Sequence, residues 1–384
     1  MRPIRVLIHA PHPGEIGGIA SLYEILRPYL ASFADFSYSN RARSSAGLLA
    51  RLASVSANLT QFQKDMKRDC YDLILLNTPF RHRALIRESC LHFLARRAGF
   101  KTVVYFHGWD EMLAENINRR VATTFFGKTY FSASAIIVLA SRFRDQLRSM
   151  GYRGPVYVVT TAVSESLLKS EGTHTTECRS RQFRILFLSR LDRSKGIDIV
   201  LRSYALLKPF YPQLHLDIAG SGDALQSSVE FVRDQRLTDV TFLGHVDGER
   251  KREALWRADV FMLPTSYPEG LPVALLEAMA SGLPVLTRKV GGIPDFFRNG
   301  LMGLMTDSVA PEVYAEEIRR LIESPEQRQE IGRYNREYAM KYFLAPVVAK
   351  QLESICYRVS AATPARRADL SQESSRKGRK SLTH

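Results

Sequence analysis

Short, nearly continuous apolar runs alternate with helical patterns along most of this 384-residue chain. Strands that are apolar throughout are typical of parallel sheets, whose crossover helices bury both faces. Since 384 residues exceed one ordinary core, the pattern predicts an α/β protein with two doubly wound, Rossmann-like domains. The runs are Arg5–Ala10, Asp72–Asn77, Thr102–Phe106, Ala135–Leu139 and Val156–Val159, then Arg184–Ser189, His215–Ala219, Val240–Leu243, Val260–Leu263 and Val285–Thr287.

The polar stretch SEGTHTTECRSRQ, residues 170–182, separates the two sets of strands because it has no apolar periodicity. We therefore predict an N-terminal domain over residues 1–180 and a C-terminal domain over residues 181–340. A helical pattern from Glu337 to Val359 predicts a last helix, placed at residues 341–360. The tail, residues 361–384, is basic and polar and is predicted to be disordered.

No apolar run approaches the roughly 20 residues that a membrane-spanning helix needs. The first apolar segment, Ile4–Ala10, is too short for a signal peptide and reads as a buried strand. The four cysteines have neither metal-binding nor redox spacing, which favours a reducing compartment. We expect a cytoplasmic protein.

Positive charge is concentrated in the first half of the chain. The net charge is +15, and residues 1–180 carry 24 Lys and Arg against 14 Asp and Glu, a balance of +10. Such a positive charge would attract either an anionic membrane surface or a nucleic acid. A solvated surface without a charged partner is the simpler alternative. No recognised nucleic-acid module is present, so we expect no nucleic-acid partner.

One helical stripe in this half allows a membrane contact. Apolar residues recur at steps of three and four from Leu48 to Met66, with basic residues on both sides. The stripe predicts either the core face of a crossover helix or a helix lying in a membrane interface at the inner face of the membrane.

The strongest motif is PEGLPVALLE, residues 268–277. Pro272 suits the first turn of a helix and Gly282 marks its end, so a helix is predicted between them. The backbone amides of Gly270 and Leu271 would open this helix towards a ligand, and helix N-termini favour anions.

Two carboxylates belong to the same motif. Glu269 precedes the predicted helix and Glu277 lies within it. Eight helical residues rise about 12 Å, so the two groups cannot share a proton but can hold two distant hydroxyl-bearing parts of one long ligand. The alternative is a pair of surface carboxylates on an amphipathic helix.

A second motif places two cations after a predicted strand. Arg190 follows that strand directly, and Lys195 precedes the next helix. A diphosphate here would meet a guanidinium, an ammonium and a helix N-terminus together. Asp192 or Asp198 would instead make ordinary surface ion pairs with these cations.

Further polar or glycine-rich segments follow strands, where open α/β sheets bind ligands. Gly17 and Gly18 allow close backbone approach to a phosphate or sugar, and they are not part of a Gly-x-Gly-x-x-Gly dinucleotide motif. His107 is placed for polar contact with a sugar, or for packing. One more loop contains Gly220 and Gly222, and another contains His245 and Val246. Each of these loops either offers backbone contacts to a nucleotide or is a simple turn.

Together these motifs resemble the family-4 retaining glycosyltransferases of the GT-B fold, in which two Rossmann-like domains face each other across a cleft. Glu269 and Glu277 are similar to the family's Glu-x7-Glu pair. Arg190 and Lys195 are similar to its phosphate-binding Arg and Lys, and residues 17–18 to its N-domain glycine loop. The resemblance spans residues 5–359.

Two further segments belong to the resemblance. Residues 291–294, GGIP, are similar to another family loop, although Asp295 stands where the family usually has Glu. The family's final helix crosses back onto the N-domain, and residues 337–359 would form it.

The resemblance implies a hexosyltransferase that uses a nucleotide diphosphate sugar as donor and needs neither metal nor other cofactor. Glu277 would bind the donor ribose and Glu269 the transferred sugar, while Arg190 and Lys195 would stabilise the leaving diphosphate. The acceptor would be a lipid-linked or polysaccharide precursor glycan. A nucleotide-sugar epimerase of the same fold, or a basic nucleic-acid-binding protein, is the alternative.

Overall fold

The computed structural model describes residues 3–15, 17–39, 47–117, 120–168, 182–267 and 270–362. The predicted polar join therefore lies almost entirely outside the described residues, as does the predicted disordered tail from residue 363 onward. Pro268 and Glu269 also fall outside them.

The N-terminal domain is one six-stranded parallel sheet with helices between the strands. Its strand order is β2-β1-β3-β4-β5-β6. The strands are β1 Val6–Pro11, β2 Ala34–Ser39, β3 Leu73–Phe80, β4 Lys101–Trp109, β5 Ala135–Val138 and β6 Val156–Val158. The helices are α1 Gly18–Leu30, α2 Leu48–Asp65, α3 His82–Arg97, α4 Glu111–Ile117, α5 Arg120–Lys128 and α6 Ser141–Ser149.

The C-terminal domain repeats this architecture with the strand order β12-β11-β10-β7-β8-β9, again all parallel. The strands are β7 Phe183–Leu188, β8 Leu214–Ala219, β9 Val240–Gly244, β10 Val260–Leu263, β11 Val285–Arg288 and β12 Gly303–Thr306. The helices are α7 Ile197–Leu207, α8 Leu225–Asp234, α9 Gly248–Arg257, α10 Val273–Ala280, α11 Pro311–Glu323, α12 Pro325–Tyr342 and α13 Ala345–Ala361.

The two doubly wound domains predicted from the apolar runs are confirmed, but two strands were missed. Strands β2 and β12 both lie at sheet edges, where only one neighbour pairs with them. An edge strand is less enclosed than a central one, and β2 reads ADFSYS, with polar residues between apolar ones. A search for continuous apolar runs passes over such a strand.

The helical stripe from Leu48 to Met66 belongs mainly to α2, and its C-terminal part packs on the core. Phe62 is fully buried and Met66 is buried, and Leu59 is partly buried against the same cluster. The membrane-interface interpretation of this stripe is therefore wrong for these side chains.

The predicted last helix is two helices, α12 and α13, broken at Phe343 and Leu344. The break forms a bridge to the N-domain, since Val163 donates to the carbonyl of Phe343 and accepts from Ala345. Helix α13 then packs on α1 and β4 of the N-domain. The expected crossing of the final helix is thus made by α13.

The domains meet through glycine backbones. A β-carbon at Gly270 would lie 2.6 Å from the Cα of Gly108, and one at Gly292 would lie 3.2 Å from the β-carbon of Ala140. Beside this contact, Asp295 accepts hydrogen bonds from the amide and the hydroxyl of Ser141 at the start of α6. The carboxylate that departs from the family pattern therefore joins the two domains.

Candidate functional site

The crevice of each sheet opens at its topological switch point, where neighbouring strands send their connections in opposite directions. In the N-domain this point lies between β1 and β3, and in the C-domain it lies between β7 and β10. The described residues of the loops that follow these four strands include 12–15, 17, 81, 189–196 and 264–267. Sheet topology therefore gathers most of the predicted motifs at two facing crevices.

A cavity of about 360 Å³ lies between the domains at this level. Both domains line it: Glu15, Gly17, Gly18, Arg81 and His107 come from the first, and Tyr267, Gly270, Leu271 and Val273 from the second. The predicted residues Gly17, Gly18, His107, Gly270 and Leu271 are thus brought together.

Three cations surround the ring of Tyr267. The ammonium nitrogen of Lys195 lies 4.1 Å from the ring centroid, and the guanidinium carbons of Arg190 and Arg81 lie 5.4 and 5.7 Å from it. Arg81 also donates a hydrogen bond to the Tyr267 hydroxyl. Tyr267 lines the cavity, so its ring lies between the cavity and the two predicted phosphate-binding cations, Arg190 and Lys195. Arg81 is a third cation at this ring and comes from the opposite domain.

The loop that carries Arg190 and Lys195 is tightly held. Asp192 accepts hydrogen bonds from the amide and hydroxyl of Ser194 at 2.9 and 2.7 Å. These bonds, and to a smaller extent the nearby Arg190 and Lys195, lower the pKa of Asp192. The carbonyl of Ser194 in turn accepts from the amide of Tyr267 at 3.0 Å.

Gly220 and Gly222 support the same loop from behind. A β-carbon at Gly220 would lie 1.8 Å from the carbonyl oxygen of Ser189, and one at Gly222 would lie 2.3 Å from that of Leu191. Only glycine permits such contact, so these two residues fix the position of the Arg190 loop. Their predicted contact with a nucleotide stays a prediction.

Glu277 is buried on α10 and is ion-paired. One of its carboxylate oxygens lies 2.6 Å from the ammonium nitrogen of Lys251 on α9. Helix α10 starts at Val273, with Pro272 at its N-cap and Gly282 in the left-handed region just beyond its end. Pro272 therefore precedes the first turn that the sequence had assigned to it.

Gly17 and Gly18 leave backbone open at the start of α1. Among the described residues, and apart from the chain neighbours, no heavy atom lies within 4 Å of the position that a β-carbon would take at either residue. Packing within the protein therefore does not require glycine here, in contrast to Gly220, whereas close approach of a ligand to the backbone would.

His107 is buried at the cavity wall. Its Nε2 lies 2.8 Å from Oδ1 of Asn77, which also accepts from the hydroxyl of Tyr23 at 2.8 Å, and the Asn77 amide donates to the carbonyl of His9. Burial lowers the pKa of His107 to about 3, so the ring is neutral at physiological pH. With Nε2 as the donor, Nδ1 is the acceptor nitrogen.

The remaining predicted residues are more dispersed. His245 is exposed and Val246 is buried just after β9. Neither lines the cavity between the domains, and neither do Arg190, Lys195 or Glu277. Within the described part of the chain no group of three His, Cys, Asp or Glu side chains has the arrangement of a metal site, and no described helix is long and apolar enough to cross a bilayer.

Sequence reasoning missed three residues of this region: Arg81, Tyr267 and Lys251. Arg81 directly follows β3, so the strand-end rule that found His107 applies to it equally. Tyr267 lies in the loop just ahead of the strongest motif. Lys251 is one of several cations on α9, and the sequence does not single it out.

Two facing Rossmann-like domains with the crossing helix α13 define the GT-B architecture. Residues 175–338 match the family described as glycosyl transferases group 1. The chain therefore has the GT-B fold, and within it this segment is similar to the group 1 glycosyltransferases.

Curated relatives align with about half of their own length. Spore coat protein SA of Bacillus subtilis is 31% identical over 179 residues, which cover 44% of this chain and 48% of that protein. The amylovoran biosynthesis glycosyltransferase AmsK of Erwinia amylovora is 29% identical over 232 residues, covering 58% and 54%.

Solved structures share the fold over nearly the whole chain. Sucrose-phosphate synthase from Thermosynechococcus elongatus has a TM-score of 0.73 at 19% identity and covers 94% of this chain and 100% of its own. HepE from Anabaena, solved with UDP and glucose, has a TM-score of 0.69 at 19% identity and covers 92% and 99%.

Proposed function

We propose that this protein is a metal-independent, retaining glycosyltransferase that moves a hexose from a nucleoside diphosphate sugar to a glycan or lipid-linked acceptor. The observation that carries the proposal is the meeting of Arg190, Lys195 and Arg81 around Tyr267 where the two crevices face each other. Three cations within one loop cluster fit the diphosphate of a donor.

The leaving diphosphate develops negative charge as the glycosidic bond breaks. Arg190 and Lys195 would take up this charge without reorganisation, because the Asp192–Ser194 turn and the glycine contacts already hold their loop in place. The ring of Tyr267 lies against both cations. The diphosphate would replace this ring beside them.

The carboxylates and the histidine would orient the donor. Glu277 would accept hydrogen bonds from the ribose hydroxyls, and Glu269 would hold the transferred sugar. His107 would accept a hydrogen bond from a sugar hydroxyl at Nδ1, since Asn77 holds its Nε2 as the donor. His245 and Val246 would supply backbone contacts to the nucleotide base, and Gly17 and Gly18 to the donor phosphate or sugar.

The experiment that tests this proposal is a panel of nucleotide sugars, starting with UDP-glucose because HepE was solved with UDP and glucose. A donor should raise the melting temperature and be hydrolysed slowly without acceptor, and NMR of the released sugar should first show the anomer of the donor. Activity should persist in EDTA. Conversion to an epimeric nucleotide sugar would favour the epimerase alternative, and protection by no member of the panel would contradict the proposal.

A further inference from the structure

One side of helix α3 is exposed and carries large apolar side chains. Leu85, Leu91 and Ala95 bury its other side against the N-domain. The exposed side, which we name the α3 face, is a row of residues three or four apart. Its members are Arg83, Ile86, Cys90, Phe93 and Arg97.

Two residues of the α3 face are unusually accessible for their size. Ile86 is 51% exposed and Phe93 is 59% exposed. They lie seven residues apart, so they stand two turns apart on the same side of the helix. Such a pair on an otherwise basic helix is typical of a contact surface.

The charge around this pair has one sign. Arg83, Arg96 and Arg97 are exposed, whereas the single acidic residue of the helix, Glu88, is buried and ion-paired with Arg87 at 2.7 Å. The α3 face therefore offers a negatively charged partner no repulsive carboxylate of its own.

A basic pocket of about 330 Å³ adjoins Phe93. It lies between α3 and the end of α5, and Arg96, Arg97 and Lys128 contribute its cations. The hydroxyl-bearing residues Thr129 and Ser132 form another part of its wall. Both hydroxyls donate to backbone carbonyls, so the three cations are what suits this space to a phosphate group.

We propose that the α3 face docks on an anionic membrane, with Ile86 and Phe93 entering the interface and a phospholipid phosphate occupying the basic pocket. Apolar side chains framed by arginines are the arrangement that binds a helix parallel to a membrane surface. The +10 balance of residues 1–180 acts in the same direction.

This surface leads to the cleft. Arg81, the N-cap of α3, lines the cavity between the domains, and the 16 residues of α3 extend roughly 24 Å from it. A leaflet lying along α3 would reach the rim of the cleft. Given the proposed function, a lipid-linked acceptor could then be presented there without leaving the membrane.

The native cysteines provide a direct test. Cys90 lies on the α3 face and Cys70 is exposed elsewhere, while Cys356 is buried. An environment-sensitive fluorophore on Cys90, in a Cys70→Ser/Cys178→Ser background, should shift to the blue with vesicles that contain 30% phosphatidylglycerol. The same fluorophore on Cys70, in a Cys90→Ser/Cys178→Ser background, should not shift.

Vesicle co-sedimentation of unlabelled protein then separates the two contributions. Arg96→Ser/Arg97→Ser should weaken binding by about 25-fold, since each basic residue near an anionic leaflet contributes about fivefold. Ile86→Ser/Phe93→Ser should weaken binding by roughly fivefold or more. Matched controls in the C-domain are Phe210→Ser, at a residue that is 78% exposed, and Arg202→Ser/Arg233→Ser.

Absence of vesicle binding, or equal binding by the α3 variants and the controls, would overturn the inference. Self-association that disappears in Ile86→Ser/Phe93→Ser would assign the face to a second copy of the chain and overturn it as well. Protection by UDP-glucose is measured in the same variants without vesicles. Failure of the membrane contact is thereby distinguished from failure of the proposed transferase function.

Discussion

The ammonium nitrogen of Lys251 lies 2.6 Å from a carboxylate oxygen of Glu277, and this ion pair joins α9 to α10 at the predicted ribose site. The ion pair thus orients the buried carboxylate before any ligand binds. An ionised acceptor makes hydrogen bonds roughly twice as strong as a neutral one.

Glu277→Gln should therefore weaken binding of nucleoside diphosphate by about tenfold or more, the loss of a hydrogen bond to a charged group. Glu269→Gln should lower the affinity for the intact donor, whereas free nucleoside diphosphate should bind almost as tightly as it does to the parent. Calorimetry with UDP and UDP-glucose on both variants checks this. The opposite pattern would reverse the assignment of the two carboxylates.

Lys251→Met should lower nucleoside diphosphate affinity by a smaller factor than Glu277→Gln, because it removes the partner and not the ribose ligand. Arg250→Met is the matched control on the same helix, since Arg250 donates to the carbonyl of Leu243 instead. An equal loss of nucleoside diphosphate affinity in Lys251→Met and Arg250→Met would contradict a specific role for the ion pair.

Arg190→Ala and Lys195→Ala should each lower kcat by roughly 10²-fold, the effect of removing one preorganised charge partner of a transition state. Arg193→Ala, an exposed arginine of the same loop, is the control and should leave kcat within about twofold. Near-normal turnover in both site variants, with melting temperatures unchanged, would exclude the phosphate assignment.

Tyr267→Phe should keep the contact of the ring with Arg190 and Lys195 but lose the hydrogen bond from Arg81. If the diphosphate replaces the ring, this variant should bind nucleoside diphosphate as well as the parent or up to about tenfold more tightly, since a hydrogen bond that involves a charged group contributes about 1.5 kcal/mol. Weaker binding would indicate that the Tyr267 hydroxyl itself contacts the ligand.

Gly270→Ala should prevent the domains from meeting as they do here, because the new methyl would lie 2.6 Å from the Cα of Gly108. We expect kcat to fall by about tenfold or more, as misplacement of about 1 Å in a site costs up to 10²-fold. Gly127→Ala, where the added methyl meets no atom of the residues that the structure describes within 4 Å, is the control. Small-angle scattering should show a more open molecule for Gly270→Ala alone.

The stability of the fold should decrease between pH 7 and pH 5. Burial lowers the pKa of His107 to about 3 and, together with Arg96, that of His92 to about 4. Below pH 6.5 the unfolded chain binds protons at these two histidines and the folded chain does not. Each histidine therefore lowers the free energy of unfolding by about 2 kcal/mol at pH 5. Urea unfolding at both pH values measures this. The pH dependence should be smaller in His92→Gln, and an equal slope there would contradict the prediction.

The sequence alone determined the parallel strands and the residues that follow them. Apolar runs report burial on both faces, so ten of the twelve strands in the described part of the chain were predictable. Arg190 was correctly placed just after a strand and Lys195 just before a helix, whereas His107, predicted to follow a strand, lies inside β4. Glu277 was likewise placed on a helix by its proline and glycine neighbours. Each of these inferences depends only on residues close together in the chain.

Only the tertiary structure decided which of these residues meet. Arg81 contacts Tyr267 across 186 residues, and Gly108 contacts Gly270 through backbone alone. Phe62 on α2 is part of the core, whereas Ile86 and Phe93 on α3 remain at the surface. A local sequence pattern shows that a helix has an apolar face or that a residue follows a strand. The packing of one helix or domain on another determines what covers that face and which residues of the other domain meet that strand end.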